Sequence, residues 1–274
     1  MKIIIGIILL FTITFNLSAQ TYEEMVSKAM DFAEQKDYIG AELTLKTAMR
    51  KEPDNPGNII LLVNLGTFQR NLGKLEEALI SYNAAIAKFP NPTFLLHNRA
   101  ALYCEMDKLD NALIDYSALI VDNPKDIEAL YRRGLIFIAK NSFLDAENDF
   151  NKIVEIEPDN LQAKSSLAML LKREEKWVEA EVAYSYLLSK NKVNAELYLN
   201  RAECYLQMNK LGKAIDDLSK ASTYGYNDYP LYILRGQVRL AQYDKVSARE
   251  DFNKAKALGA NEETIEQLLK LCKK

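Results

Sequence analysis

A small residue recurs at a fixed interval of 34 residues along most of this chain. The recurring residues are Ala78, Ala112, Ala146, Ala180, Ala214 and Ala248. With these alanines at position 20 of a unit, units begin near residues 22, 59, 93, 127, 161, 195 and 229, and only the first interval is longer. A fixed period of this size is typical of solenoids, in which small supersecondary units stack on one another. The sequence therefore predicts seven repeats over residues 20–260.

Each unit contains two segments with the apolar spacing of a helix. In the fourth unit these segments are IEALYRRGLIFIAK, residues 127–140, and SFLDAENDFNKIVEI, residues 142–156. Pro158 ends the second segment, because proline removes a backbone donor and clashes with the preceding turn. Asp126, Asn160 and Asn194 stand where the next first helix needs an N-cap. Two helices per unit predict an all-α fold.

The period also carries a residue pattern. Position 8 is Gly or Ala, position 20 is Ala, position 24 is usually aromatic and position 32 is often Pro, as in Gly134, Ala146, Phe150 and Pro158. Positions 8 and 20 are predicted to face each other, since two helices approach closely where both lack bulk.

This pattern resembles the tetratricopeptide repeat family over about residues 22–262. The resemblance implies a right-handed superhelical solenoid of helix-turn-helix repeats, with a concave groove lined by the first helices. It also implies a protein or peptide as the partner. The pattern is incomplete at Lys192, Tyr226 and Ala260, which replace the proline at position 32.

The two ends of the chain differ from the repeats. Residues 261–274 predict a C-terminal capping helix that begins after Asn261. Residues 1–19 have the layout of a secretory signal peptide, with Lys2, an apolar run and a small residue at Ala19. We expect cleavage after Ala19, export to the periplasm or beyond the cell, and no membrane insertion afterwards. An uncleaved N-terminal anchor is the alternative. The ending LSAQ resembles signal peptides of Bacteroidota.

Arginine at position 7 and aspartate at position 23 occur in the same repeats. The pairs are Arg99 with Asp115, Arg133 with Asp149, Arg201 with Asp217, and Arg235 with Asp251. The fifth repeat has neither residue and carries Leu167 and Ala183 instead. This co-occurrence predicts structural ion pairs within each hairpin. A row of arginines that receives acidic ligands is the alternative interpretation.

In the family that the chain resembles, positions 2, 5, 9 and 12 of the first helix face the groove. In the third and fourth repeats these positions are largely apolar. The residues at these positions that are candidates for a peptide-binding patch are Phe94, His97, Ala101, Tyr131, Leu135 and Ile138. An exposed apolar patch is a candidate interaction site. The alternative is that neighbouring turns cover these side chains.

Composition argues against several other functions. The formal net charge is −3 with no run of like charge, so nucleic acid and anionic membranes are poor candidate partners. His97 is the single histidine and lacks the neighbours of a metal site. No catalytic motif or cofactor motif is present. We therefore expect a non-enzymatic scaffold that binds a peptide or protein segment. A structural spacer or self-association module of the cell envelope is the alternative, and the oligomeric state is left open.

Overall fold

The computed structural model describes residues 20–89 and 93–273, and within these ranges the chain forms fifteen α-helices and no strand. The predicted all-α fold is confirmed for this part of the chain. The predicted signal peptide, residues 1–19, lies outside the described residues, as does Pro90 at position 32 of the second repeat. The chain divides into two compact units, Met1–Leu119 and Ile120–Lys274.

Unit one contains three helical hairpins. Its helices are α1 (Tyr22–Glu34), α2 (Tyr38–Lys51), α3 (Asn58–Asn71), α4 (Leu75–Ile86), α5 (Thr93–Glu105) and α6 (Leu109–Asp122), whose last residues belong to unit two. The second helix of one hairpin packs against the first helix of the next, as α2 does on α3 and α4 on α5. Leu45, Leu61, Leu65 and Phe68 form the buried core between α2 and α3. The hairpins of this unit therefore share a core rather than folding separately.

Unit two contains four hairpins and a closing helix. Its helices are α7 (Ile127–Ala139), α8 (Phe143–Ile156), α9 (Leu161–Arg173), α10 (Trp177–Lys190), α11 (Ala195–Gln207), α12 (Leu211–Thr223), α13 (Tyr229–Ala241), α14 (Lys245–Ala257) and α15 (Glu262–Leu271). Ile265 and Cys272, at the two ends of α15, are buried in one cluster with Phe252 of α14. The closing helix thus covers the apolar side of the last hairpin, which is what the end of a repeat stack requires.

Side-chain caps fix where the first helices of unit two begin. The carboxylate of Asp126 and the amide oxygens of Asn160 and Asn194 each accept a hydrogen bond from the backbone N–H three residues later. The predicted N-caps are therefore confirmed. Asn261 caps α15 in the same way. Each such cap contributes about 1 kcal/mol to helix stability.

The nearest neighbour of position 8 differs from the sequence-based expectation. A Cβ added to Gly134 would lie 2.7 Å from Cε1 of Phe150, the aromatic residue at position 24. Gly236 stands in the same relation to Phe252, with a distance of 2.5 Å. The small residue at position 8 therefore makes room for the ring at position 24, and not only for the alanine at position 20. The ring at position 24 comes closest because it extends further toward the partner helix than the methyl group of an alanine does.

Position 15 of every hairpin adopts the left-handed backbone conformation. These residues are Lys36, Gly73, Asp107, Asn141, Glu175, Asn209 and Tyr243, with φ between 55° and 72°. The turn ends the first helix with paired backbone bonds, as in Asn141 N to Ile138 O and Ser142 N to Phe137 O. Only Gly73 reaches this conformation without steric cost, since a Cβ crowds the backbone there.

We expect Tyr243→Gly to raise the free energy of unfolding by about 0.5–1 kcal/mol. The side chain is 88% exposed, so its removal loses little packing, while the strain at φ 66° is relieved. Gly73→Ala serves as the reverse control and should lower stability by about 1 kcal/mol. Urea unfolding of the three proteins measures both effects. A Tyr243→Gly variant that is less stable than the parent chain would contradict this account of the turn.

Candidate functional site

We call the side of a hairpin that carries positions 2, 5, 9 and 12 of its first helix the first-helix face. In unit one, α5 places Phe94, His97 and Ala101 on this face. Phe94 is 53% exposed, and its ring meets Phe89 edge-on with 5.1 Å between centroids. His97 is half-buried with its ring 6.3 Å from that of Tyr116, and Ala101 is half-buried as well. This helix therefore presents one exposed aromatic ring beside smaller accessible surfaces.

In unit two, α7 carries Tyr131, Leu135 and Ile138. Tyr131 is half-buried and its ring lies 5.7 Å from that of Phe150. Leu135 is exposed, whereas Ile138 is half-buried against the core of the hairpin. Each of these side chains keeps some accessible surface. That they form one binding surface with the residues of α5 stays a prediction.

The structure brings each repeated arginine against its aspartate across the two helices of one hairpin. The shortest N–O distances are 2.7 Å for Arg99–Asp115, 2.7 Å for Arg133–Asp149, 2.7 Å for Arg201–Asp217 and 2.6 Å for Arg235–Asp251. The Arg99 pair is bidentate, since Nε and Nη2 donate to the two carboxylate oxygens at 2.8 and 2.7 Å. The aspartate side chains are 3–6% exposed and the arginines 16–23%.

Two of these arginines also contact the preceding hairpin. Arg99 Nη1 donates to Asn83 Oδ1 at 2.8 Å, and Arg201 Nη1 donates to Ser185 Oγ at 2.9 Å. Both acceptors stand at position 25 of the repeat before. The guanidinium group thus links one hairpin internally and also joins it to its neighbour. An arginine engaged on three sides and largely buried is poorly placed to receive an acidic ligand.

A polar cluster surrounds Glu42 in unit one, and the sequence did not indicate it. Glu42 on α2 is 5% exposed and binds Lys46 Nζ at 2.6 Å and Lys74 Nζ at 2.7 Å. Gln69 Nε2 donates to the same carboxylate at 3.3 Å, and Gln69 Oε1 accepts from Ser81 Oγ at 2.7 Å. Burial alone would raise the pKa of Glu42, but the hydrogen bonds from Lys46, Lys74 and Gln69 outweigh it and lower the pKa to about 2.

The Glu42 cluster predicts a specific loss of stability in acid. A carboxyl group with a depressed folded-state pKa stabilises the fold above its unfolded value of 4.5, and this stabilisation is lost as pH falls toward 2. We expect Glu42→Gln to lower the free energy of unfolding at pH 7 by about 1–3 kcal/mol. Urea unfolding between pH 7 and 2 should show this difference shrinking below about pH 4.5.

The matched control for this experiment is Glu76→Gln, an exposed carboxylate on α4 of the same unit. It should leave the acid unfolding profile within about 0.5 kcal/mol of the parent chain. A Glu42→Gln penalty that stays constant down to pH 2 would contradict the assigned ion-pair role.

Unit two also contains a cavity on the first-helix face that the sequence did not single out. It lies between α11 and α13, measures about 220 Å³ and is lined by Leu199, Glu203, Tyr229, Pro230, Ile233, Leu234 and Gln237. Five of these residues stand at positions 2, 5 or 9 of the sixth and seventh repeats. The pattern could have identified them, but the third and fourth repeats appeared more apolar. A second depression of about 410 Å³ is lined by Leu240 of α13 and by Leu268 and Leu271 of α15.

One carboxylate stands in the wall of this α11–α13 cavity. Glu203 Oε2 accepts from Lys172 Nζ of α9 at 2.7 Å, and the same ammonium group donates to Asn200 Oδ1 at 2.7 Å. Glu203 is 38% exposed. The cavity therefore combines an aliphatic and aromatic wall with a carboxylate that is within reach of solvent.

Metal binding and membrane insertion find no support in the part of the chain that the structure describes. Among those residues, no group of three or more His, Cys, Asp or Glu side chains could hold a metal ion. None of their helices has the length and apolar character that a membrane crossing needs.

Comparison with known proteins identifies the family. Two family models described as tetratricopeptide repeat match the chain, one over residues 127–160 and 195–224 and the other over 61–92. A tetratricopeptide repeat protein from Parabacteroides merdae, known from a crystal structure, is 43% identical. That match covers 92% of this chain and 99% of that protein, with a TM-score of 0.69. The chain belongs to the tetratricopeptide repeat family, whose fold is a general scaffold for protein–protein interaction and is generally non-enzymatic.

Two further relatives are more distant. The DnaJ homolog subfamily C member 7 homolog of Dictyostelium discoideum is 31% identical over 81 residues, a match that covers 30% of this chain and 15% of that protein. YrrB, described as a TPR protein with an unusual peptide-binding site, is 17% identical, and the match covers 69% of this chain and 97% of YrrB with a TM-score of 0.56. The likeness to YrrB concerns the fold alone.

Proposed function

We propose that this chain is a non-catalytic scaffold that binds a peptide or protein segment on its first-helix face. The observation that carries the proposal is the α11–α13 cavity, because it opens at the positions that line the binding groove in this family. YrrB, a protein of the same fold, has a peptide-binding site. A preformed apolar cavity with a few polar groups is the usual form of a recognition site.

The face suits an extended peptide segment better than a small molecule. A cavity of about 220 Å³ is smaller than the roughly 300–1,000 Å³ of ordinary small-molecule pockets. The larger depression toward Leu240 and Leu268 would take a further part of the same segment. Tyr131 and Leu135 of α7 extend the proposed surface within unit two, and Phe94 of α5 is its counterpart in unit one.

A display selection tests this proposal. Residues 20–274 are immobilised and used to select binders from a random peptide library. We expect the selected peptides to lose binding to the Ile233→Asp variant, because it places a charge in the wall of the cavity. They should still bind the Val182→Asp variant, which places the same charge on an exposed site of α10. Circular dichroism confirms that both variants are folded. Selected peptides that distinguish neither variant, or no selected peptide at all, would overturn the proposal.

A second candidate function is self-association through the outer side of the second helices. Positions 18 and 22 of these helices carry aliphatic side chains that are 60–72% exposed. They are Ile39, Leu43, Ile80, Ile114, Leu144, Val178, Val182 and Val246. Such residues are candidates for an interface because exposed apolar surface is costly in water. Light scattering over a wide concentration range tests this alternative, which requires a dimer that does not dissociate on dilution.

The proposed site of action is the periplasm or the cell exterior of a bacterium. The support is the sequence of residues 1–19, with its apolar run from Ile3 to Phe15 and Ala19 before the cut. We expect the exported protein to begin at Gln20. Intact-mass measurement of the protein from the cell envelope tests whether residues 1–19 are removed. A mature chain that keeps its first residues would instead support an anchor.

A further inference from the structure

The α11–α13 cavity has an unusual combination of walls for a site that would bind only an apolar anchor. Leu199, Ile233 and Leu234 supply aliphatic surface, and Tyr229 supplies an aromatic ring that is 39% exposed. Glu203 adds a carboxylate to the same wall. A wholly apolar guest would cover this carboxylate together with the ammonium group of Lys172 that is bonded to it, which is unfavourable because the ion pair loses its contact with water.

Two further carboxylates stand on the elements that form the cavity. Glu196 lies two helical turns before Glu203, so both project from one side of α11. Asp228 directly precedes Tyr229 and caps α13 through its carboxylate. Burial raises the pKa of Tyr226, and the carboxylates of Asp228 and Glu196 raise it further, so both acids lie close to Tyr226 in the joint before α13. Lys172 is the one cation bonded to this group among the described contacts.

The side chain that fits such a site has an apolar methylene chain and a positively charged end group. Lysine and arginine side chains have this form, since their methylene chains pack on apolar surface while the charged end reaches a polar partner. The ring of Tyr229 also favours a cation over its face. A single side chain of this kind matches a cavity of about 220 Å³.

We propose that the α11–α13 cavity is a specificity pocket for a lysine or arginine side chain of the bound segment, with the stem against Leu199 and Ile233 and the charged head at Glu203. This inference rests on the proposed function and adds the chemistry of the partner to it. The ammonium group of Lys172 holds the same carboxylate in the free protein. The incoming cation therefore either displaces Lys172 from the carboxylate of Glu203 or shares this carboxylate with it.

The test is a double-mutant cycle between protein and peptide. The probes are a fluorescein-labelled lysine peptide from the display selection and the same peptide with norleucine, which keeps the stem and lacks the charge. Fluorescence anisotropy measures the Kd of each. On the parent chain we expect norleucine to weaken binding by about tenfold, and on Glu203→Gln by about threefold or less. Lys172→Met should strengthen binding of the lysine peptide severalfold, because it removes the competing cation.

The controls separate this inference from the proposed function. Glu250→Gln removes an equal charge from an exposed position on α14 and should not change either Kd. Peptides that need Ile233 but show no preference for a basic residue would leave the proposed function intact and overturn the inference. Equal losses on norleucine substitution in the parent chain and in Glu203→Gln would also overturn it. The absence of any binding peptide would overturn both.

Discussion

Replacement of Arg133 by leucine is expected to lower the free energy of unfolding by about 3–5 kcal/mol. The reason is that the substitution removes the partner of a buried aspartate. Asp149 is 6% exposed and accepts hydrogen bonds from Arg133 Nε at 2.9 Å and Nη2 at 2.7 Å. Without the guanidinium group, this buried carboxylate has lost its charged partner, and an uncompensated buried charge is costly. Urea unfolding measures the difference.

The double variant Arg133→Leu with Asp149→Ala should recover much of the loss. It copies the fifth repeat, in which Leu167 and Ala183 occupy the same positions and are both half-buried. Removal of both partners leaves no uncompensated charge, so the two single losses should not add. Lys152→Met, which breaks an exposed ion pair with Glu155, is the control and should cost less than about 1 kcal/mol. Strictly additive losses in the Arg133 and Asp149 variants would contradict the structural role of the pair.

Truncation of residues on the first-helix face should weaken peptide binding without unfolding the protein. We expect Tyr131→Ala and Ile233→Ala each to cost about 1–3 kcal/mol of binding free energy, because both side chains would be anchors of the bound segment. Both are half-buried in the free chain, so some loss of thermal stability accompanies the change. Val178→Ala, on the exposed side of α10, is the matched control and should leave the Kd unchanged. Equal effects from all three would indicate a general loss of structure and not a binding site.

The repeat pattern could be predicted because its information is local. Small residues such as Gly134, the N-cap Asn160 and the helix-ending Pro158 each act within a few residues of where they stand. The ion pairs could be predicted for another reason. Arginine at position 7 and aspartate at position 23, such as Arg133 and Asp149, occur together in four repeats and are both missing from the others. Periodicity thus made comparisons possible within a single sequence.

The features that sequence did not predict depend on how one repeat meets the next. The Glu42 cluster joins α2 to the second hairpin through Lys74 and Gln69, and the glutamate alone does not show which side chains reach it. The α11–α13 cavity follows the irregular joint STYGYNDYP, in which Tyr226 replaces a proline and Pro230 enters the first turn of α13. The left-handed turn residues include Lys36 and Glu175, whose side chains carry no signal for that conformation.

The central claim is that a partner segment lies on the first-helix face, and photo-crosslinking tests it most directly. A peptide from the display selection is made with a benzophenone at one position at a time, irradiated with residues 20–274, and the adducts are located by mass spectrometry. We predict adducts on α7, α11 and α13, concentrated around Leu199, Tyr229 and Ile233. Adducts on the outer aliphatic residues of the second helices, such as Val182 or Val246, would contradict the claim and favour the alternative interface.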